Sequence, residues 1–297
     1  MAVRTVWAVL GALSVLAGCA QPQATEPVYD DHLTQLFPNP PRPEPHDYTV
    51  DGRKVHYLLM RGGPARIVFI HGTPGNWQGW SDFLASPRLR KVATMIAVDR
   101  PGFGNSGSGH MVPELADQSR LLAPLIDIEG GGEGRALLVG HSLGGPIAAR
   151  MAMDYPDRLR AVLLIAPSIA PDYEHPRWFN YLADSWLARV LAGTWVQHRF
   201  ADDDLYNSNV EIMPLAHELK EMEPGWARLT MPITVMQGLK DTLVDPRTAD
   251  YAEAVLPKPN GIVQRLPDED HFVLWREPQR VVDAIVELLD RSALPQP

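Results

Sequence analysis

An α/β fold, with a mostly parallel sheet covered by helices on both faces, is predicted by two observations on the 297-residue chain. The first is the alternation, from residue 66 to residue 289, of short continuous apolar runs with longer amphipathic stretches. Strands buried on both faces read as unbroken apolar runs, and their alternation with helices indicates parallel strands between helical layers. The second is the pentapeptide Gly140-His141-Ser142-Leu143-Gly144, placed between the apolar run 135–139 and the helical stretch 146–153. A serine with glycines two residues before and two after it, at a strand-to-helix turn, is the pattern of a nucleophile elbow. The turn is so tight that those two flanking positions must be nearly without side chains, and it projects the serine hydroxyl from the end of the sheet.

The chain opens on a segment with no place in such a fold. Residues 1–4 carry one positive charge, residues 6–16 are apolar, and Leu16-Ala17-Gly18-Cys19 follows. That run is too short to span a bilayer and has the shape of a secretory signal. Its last four residues resemble a bacterial lipobox, which implies removal of residues 1–18 and lipid attachment at Cys19. Cys19 is the only cysteine, so no intrachain disulfide forms. Ala20 lacks the aspartate that resembles an inner-membrane retention signal, which points to the outer membrane. The expected location is the bacterial cell envelope, with the protein anchored by lipid and its body facing the periplasm. Residues 19–46, rich in proline, are expected to form an extended tether.

The strands and helices then follow in order. Residues 48–50 and 54–60, joined by Asp51-Gly52, read as a hairpin. Further strands are expected at 66–70, 94–98, 136–139, 161–166, 233–236 and 262–266, which makes about eight in all. Helices are expected at 80–90, 113–127, 146–155, 246–255 and 278–289. Residues 168–229 break the alternation. They offer helical candidates at 178–191 and 213–222 and concentrate Trp178, Phe179, Tyr181, Trp186 and Trp195. An insertion of this length between two strands of a sheet is expected to be a cap or lid. The division is therefore a core of 47–167 with 230–297, and a helical cap of 168–229 between the sixth and seventh strands.

Composition narrows the function classes. The net charge is −9 and there are no basic runs, which argues against nucleic acid as a partner. No CxxC, HExxH, EF-hand or phosphate-binding glycine loop occurs, so neither a metal nor a cofactor is called for.

Four motifs, each after an expected strand, carry a family resemblance. His71-Gly72-Thr73-Pro74 follows the third strand, Asp99-Arg100-Pro101-Gly102-Phe103-Gly104-Asn105-Ser106 the fourth, and the serine pentapeptide the fifth. With His271 after the last strand, this order resembles the α/β-hydrolase fold, from residue 48 to residue 289. The resemblance implies Ser142 as nucleophile, His271 as its base and an acid after the seventh strand. The family spacing of strand, glycine, two residues and acid selects Asp241. Asp245, the other candidate, reads as a helix N-cap before Pro246. By the same motifs the oxyanion donors are the backbone N–H groups of Thr73 and Leu143. Asp99 reads as a structural anchor of its loop, and His71 and His141 as structural or pocket-lining. Serine at the nucleophile position argues against epoxide hydrolases and haloalkane dehalogenases, whose members use aspartate there.

The expected activity is hydrolysis of a small carboxylic ester or related acyl substrate through an acyl-enzyme. Proline-iminopeptidase-like, lactone and carbon–carbon bond hydrolysis use the same triad. The first would want acidic residues such as Glu211, Glu218, Glu221 and Glu223 to hold an amine. A non-catalytic envelope binding protein on the same fold is the alternative of another class. Oligomeric state is not read from the sequence.

Overall fold

A computed structural model describes residues 31–107, 111–128, 134–174 and 203–293. An eight-stranded sheet runs through it in the order β1-β2-β4-β3-β5-β6-β7-β8. Strands β1 (Glu44–Val50) and β2 (Arg53–Met60) form the hairpin at one edge, turning through Asp51 and Gly52 with positive φ at both. That is the turn chemistry that matches strand twist in a two-residue hairpin. β2 is antiparallel to β4 (Ala93–Val98). All later pairings are parallel, through β3 (Ala65–Ile70), β5 (Ala136–His141), β6 (Leu159–Ile165), β7 (Ile233–Gly238) and β8 (Gly261–Leu266).

The central strands are buried at every position, yet their side chains alternate between two cores, as the period of two requires. Val68, Ile70, Ile96, Val98, Leu138 and Leu164 face one layer. It is built with α4 (Leu115–Leu122), α5 (Gly144–Asp154) and α7 (Thr248–Val255). Ile67, Phe69, Met95, Val139, Leu163 and Ile165 face the other, built with α2 (Ser81–Ala85), α3 (Pro87–Val92) and α9 (Pro278–Ala293). α9 shows how the sequence sets this layer. Pro278 begins it, and Val281, Val282, Ala284, Ile285, Leu288 and Leu289 bury one face at helical spacing. Each fully buried Leu or Ile contributes about 1.5–3 kcal/mol relative to exposure. α6 (Asp203–Met222) lies in the segment between β6 and β7 and buries Leu215, Leu219 and Met222 against the first layer.

Three expectations need correcting. Residues 31–45, assigned to the extended tether, instead fold onto the body. α1 (Asp31–Leu36) brings Leu33 and Phe37 into the second core, and the Arg42 guanidinium donates to the carbonyls of Phe37 and Pro38. The helix expected at 80–90 is divided at Ser86, which caps α3 by accepting from the Leu89 N–H, with Pro87 at its first turn. Asp245 does not cap α7, which starts at Thr248. Its carboxylate accepts from the N–H two residues on, at Arg247, and pairs with that guanidinium. Cys19, residues 1–30, the helix candidate at 178–191 and the five aromatic residues of the insertion lie outside the described residues.

Candidate active site

Ser142 sits where β5 turns into α5, with φ of 52°. This left-handed conformation is uncommon for a residue with a Cβ and costs on the order of 1–3 kcal/mol. The surroundings impose it. A Cβ on Gly140 would strike the Gly144 carbonyl, and one on Gly144 would strike the carbonyl of Ile70. The Ser142 N–H donates to Ile165 O at 3.0 Å, and its carbonyl accepts from Gly145 N–H at 2.9 Å and Ser168 N–H at 3.2 Å. The backbone is thus tied on both sides, and the residue lines a cavity of about 540 Å³. Leu143 is the N-cap of α5, so its peptide N–H lies at a helix end whose dipole favours negative charge.

The loop after β3 lies against this turn. A Cβ on Gly72 would come 2.8 Å from the Ser142 Cβ, so only glycine allows the approach. His71 Nε2 accepts from the Arg100 N–H at 3.0 Å. The ring hydrogen is therefore on Nδ1, which donates to Gly72 O at 2.7 Å. Burial, reinforced by the Arg100 charge, holds His71 well below the usual imidazole range. Thr73 Oγ1 donates to Ser208 Oγ on α6 at 2.9 Å.

His271 follows β8 and precedes α8 (Val273–Arg276). Its Nδ1 lies 2.8 Å from Asp241 Oδ2. A carboxylate only accepts, so Nδ1 carries the hydrogen and Nε2 keeps its lone pair. Asp241 is held in turn: Oδ1 accepts from Leu243 N–H at 2.8 Å and Val244 N–H at 2.9 Å, and Oδ2 from Gln237 Nε2 at 3.3 Å. His141 Nε2 donates to the His271 carbonyl at 3.1 Å, with the two rings 4.9 Å apart. Burial, and then the proximity of His271, lowers the His141 pKa to about 3, so this ring stays neutral.

Ser142 and His271 line the same cavity. No direct hydrogen bond joins their side chains among the described residues. The rest of the wall includes Asn76, Gln78, Trp80 and Leu274, with Leu243, Phe272 and Trp275 half-exposed at the rim. Among the described residues no Asp, Glu, Lys or Arg side chain lines it, and no cluster of His, Cys, Asp or Glu is placed to hold a metal.

Neighbouring carboxylates are engaged elsewhere. Asp99 accepts from the N–H groups of Trp77 and Asn105, both at 2.8 Å, and so closes its loop onto the start of a 3-10 turn. Glu218 accepts from Leu115 N–H, Glu221 pairs with His217, and Glu223 pairs with Lys220. Glu211 is buried at 1% exposure against Arg100, a pairing not anticipated from the sequence.

Glu174 is within the electrostatic reach of Asp241. Burial, and secondarily the charges of Asp241 and Asp245, raise its pKa to about 7 against a hydrogen bond with Ser168 that lowers it. The folded pKa stands above the ordinary 4.5, so the stabilisation is complete below that value and is lost as pH rises through about 7. Glu174→Gln keeps the neutral shape. Its Tm relative to wild type should therefore be higher at about pH 8 than at about pH 5. Thermal melts at the two pH values check this, and an equal difference at both would contradict it.

The fold and this constellation define a class: an α/β protein with a serine elbow, a histidine–aspartate pair and a pocket at the carboxyl ends of its strands. The sequence profile of the Alpha/beta hydrolase family matches residues 67–284, and the chain belongs to that family. Over 118 residues it is 39% identical to the dihydrolipoyllysine-residue acetyltransferase component of the acetoin cleaving system of Cupriavidus necator. That match covers 40% of this chain and only 30% of the relative's length. It is 25% identical to monoglyceride lipase of Rattus norvegicus, over 82% of this chain and 87% of the lipase. Among solved structures, E-2-(acetamidomethylene)succinate hydrolase superposes with a TM-score of 0.63 at 23% identity, over 84% of this chain and all of that one, a likeness of fold.

Proposed function

We propose that this protein is a serine hydrolase that cleaves a small, uncharged carboxylic ester through an acyl-enzyme. The observation that carries the reading is the 2.8 Å contact of His271 Nδ1 with Asp241, in an imidazole that shares its cavity with Ser142. The serine hydroxyl is a poor nucleophile alone and needs an adjacent base. His271 Nε2 takes its proton as Oγ attacks the carbonyl carbon. Asp241 stabilises the imidazolium, and the N–H groups of Leu143 and Thr73 receive the oxyanion. The tetrahedral intermediate collapses, His271 protonates the leaving alcohol, and the acyl group stays on Ser142. Water then attacks the acyl-enzyme with His271 as base, and the acid departs with Ser142 regenerated.

Among the described residues the cavity wall carries no Asp, Glu, Lys or Arg, which supports an uncharged acyl group, and the likeness to a monoglyceride lipase is consistent with ester chemistry. An aminopeptidase would need a carboxylate for the substrate amine, but Glu211, Glu218, Glu221 and Glu223 are engaged as described above. Lactone and carbon–carbon bond hydrolysis use the same groups. The non-catalytic alternative predicts no turnover at all. Short-chain p-nitrophenyl esters and a fluorophosphonate probe test the reading: turnover and stoichiometric labelling are expected. Absence of both would overturn it.

The proposed location is the bacterial outer membrane, through lipid on Cys19, which the lipobox-like Leu16-Ala17-Gly18-Cys19 supports. Radiolabelled palmitate fed to expressing bacteria should enter the wild type but not Cys19→Ser. Equal labelling of both would remove the anchor from the proposal.

A further inference from the structure

The residues that hold the Gly72–Thr73 peptide come from a different part of the chain than the triad. Gly72 O accepts from Arg100 Nη2 at 2.9 Å and from His71 Nδ1 at 2.7 Å, and His71 is itself held by the Arg100 N–H. Arg100 thus grips one carbonyl twice, once by its guanidinium and once through an imidazole. The guanidinium is fully buried, and α6 supplies its counter-charge: Glu211 Oε1 lies 2.6 Å from Nη1, and Oε2 lies 3.0 Å from Nη2. Gln118 of α4 closes the network by accepting from Nη1 at 2.9 Å and donating to Glu211 Oε1 at 2.7 Å. Ser208, three residues before Glu211 and so on the same face of α6, meets the Thr73 hydroxyl. A single helix from the segment between β6 and β7 therefore reaches the Gly72 carbonyl through Arg100 and the Thr73 side chain directly.

We infer that Arg100 and Glu211 are positioning residues for the oxyanion hole, with α6 setting the direction of the Thr73 N–H. This rests on the reading of Thr73 as an oxyanion donor. The peptide is planar, so fixing the direction of the Gly72 carbonyl fixes that of the Thr73 N–H on its opposite side. A preorganised donor is worth most where charge develops in the transition state, and a small rotation forfeits much of that. The bidentate carboxylate keeps the guanidinium in one plane, and so keeps Nη2 on the carbonyl. Without Glu211 the buried cation would rotate towards other acceptors, and the peptide would lose its constraint.

Glu211→Gln keeps the side-chain shape and removes the charge. Steady-state kinetics on p-nitrophenyl butyrate, normalised to serine titrated by fluorophosphonate, should show kcat reduced on the order of 10²-fold with KM nearly unchanged. The shape of the kcat–pH profile should stay that of the wild type. Arg100→Lys, which retains charge but not the fork, should lower kcat comparably. Ser208→Ala covers the case in which both variants fail to fold, with an expected kcat loss of several-fold. Unchanged kcat per titrated site in every variant that folds, or a loss carried by KM, would overturn the inference while leaving the serine mechanism intact. Failure of the wild type itself to turn over and to label would overturn the mechanism instead.

Discussion

Ser142→Ala should lower kcat for p-nitrophenyl esters on the order of 10⁵- to 10⁶-fold and abolish fluorophosphonate labelling. The size follows from the role: with no hydroxyl there is no covalent intermediate, and only the residual effect of the oxyanion donors and binding remains. Stability should hardly change. The Ser142 backbone hydrogen bonds to Ile165, Gly145 and Ser168 do not involve Oγ, and alanine meets the same left-handed φ that serine already tolerates. A melt within a few degrees of wild type together with lost turnover is the expected pair of results. Turnover retained at more than a few per cent of wild type would place the nucleophile elsewhere.

The elements that were legible in the sequence are those whose signal is local. Strands β3 to β7 read as apolar runs because both faces are covered, and the hairpin was marked by Asp51-Gly52. The close approaches at Gly140 and Gly144 are visible as glycines flanking a serine, and Gly72 as part of a loop motif. His271 and Asp241 were reached by order along the chain, and the fold places their side chains in contact although they are 30 residues apart. What was not legible depends on distant partners. Glu211 and Arg100 are 111 residues apart, and a glutamate in a segment that also carries Glu218, Glu221 and Glu223 reads as solvated. Its apolar neighbours Val210 and Ile212 were the only local hint of burial. The segment 31–45 misled for a related reason: proline content describes a stiff backbone but not whether Leu33 and Phe37 find a core.

A division of labour follows from this placement. Ser142, His271 and Asp241, proposed as nucleophile, base and acid, all come from turns at the carboxyl ends of parallel strands, which are positioned by a sheet buried on both faces. The loop proposed to supply the Thr73 oxyanion donor adds a contact with α6, outside that sheet. Substitutions in the first set should act on proton transfer and attack, and those in the second on stabilisation of the charge that attack creates. The two sets are separable by the kinetic step they slow.

Asp241→Asn tests the first set in its most constrained member, with an expected fall in kcat on the order of 10⁴-fold. The carboxylate has two differently committed oxygens. Oδ1 receives the N–H groups of Leu243 and Val244, and Oδ2 faces His271 Nδ1 and, more distantly, Gln237 Nε2. An asparagine must keep its carbonyl towards the two backbone donors, since turning its NH2 there would set three donors against one another. Its NH2 then faces the imidazole and donates to Nδ1, which drives the ring hydrogen to Nε2. The nitrogen that should take the serine proton is thereby blocked, while the side-chain volume and backbone contacts survive. KM and Tm should stay close to wild type, which separates this result from unfolding. Nitrogen NMR of the imidazole should report the hydrogen on Nε2 in the variant and on Nδ1 in the wild type. If kcat falls less than about tenfold, Asp241 is not the group that orients His271.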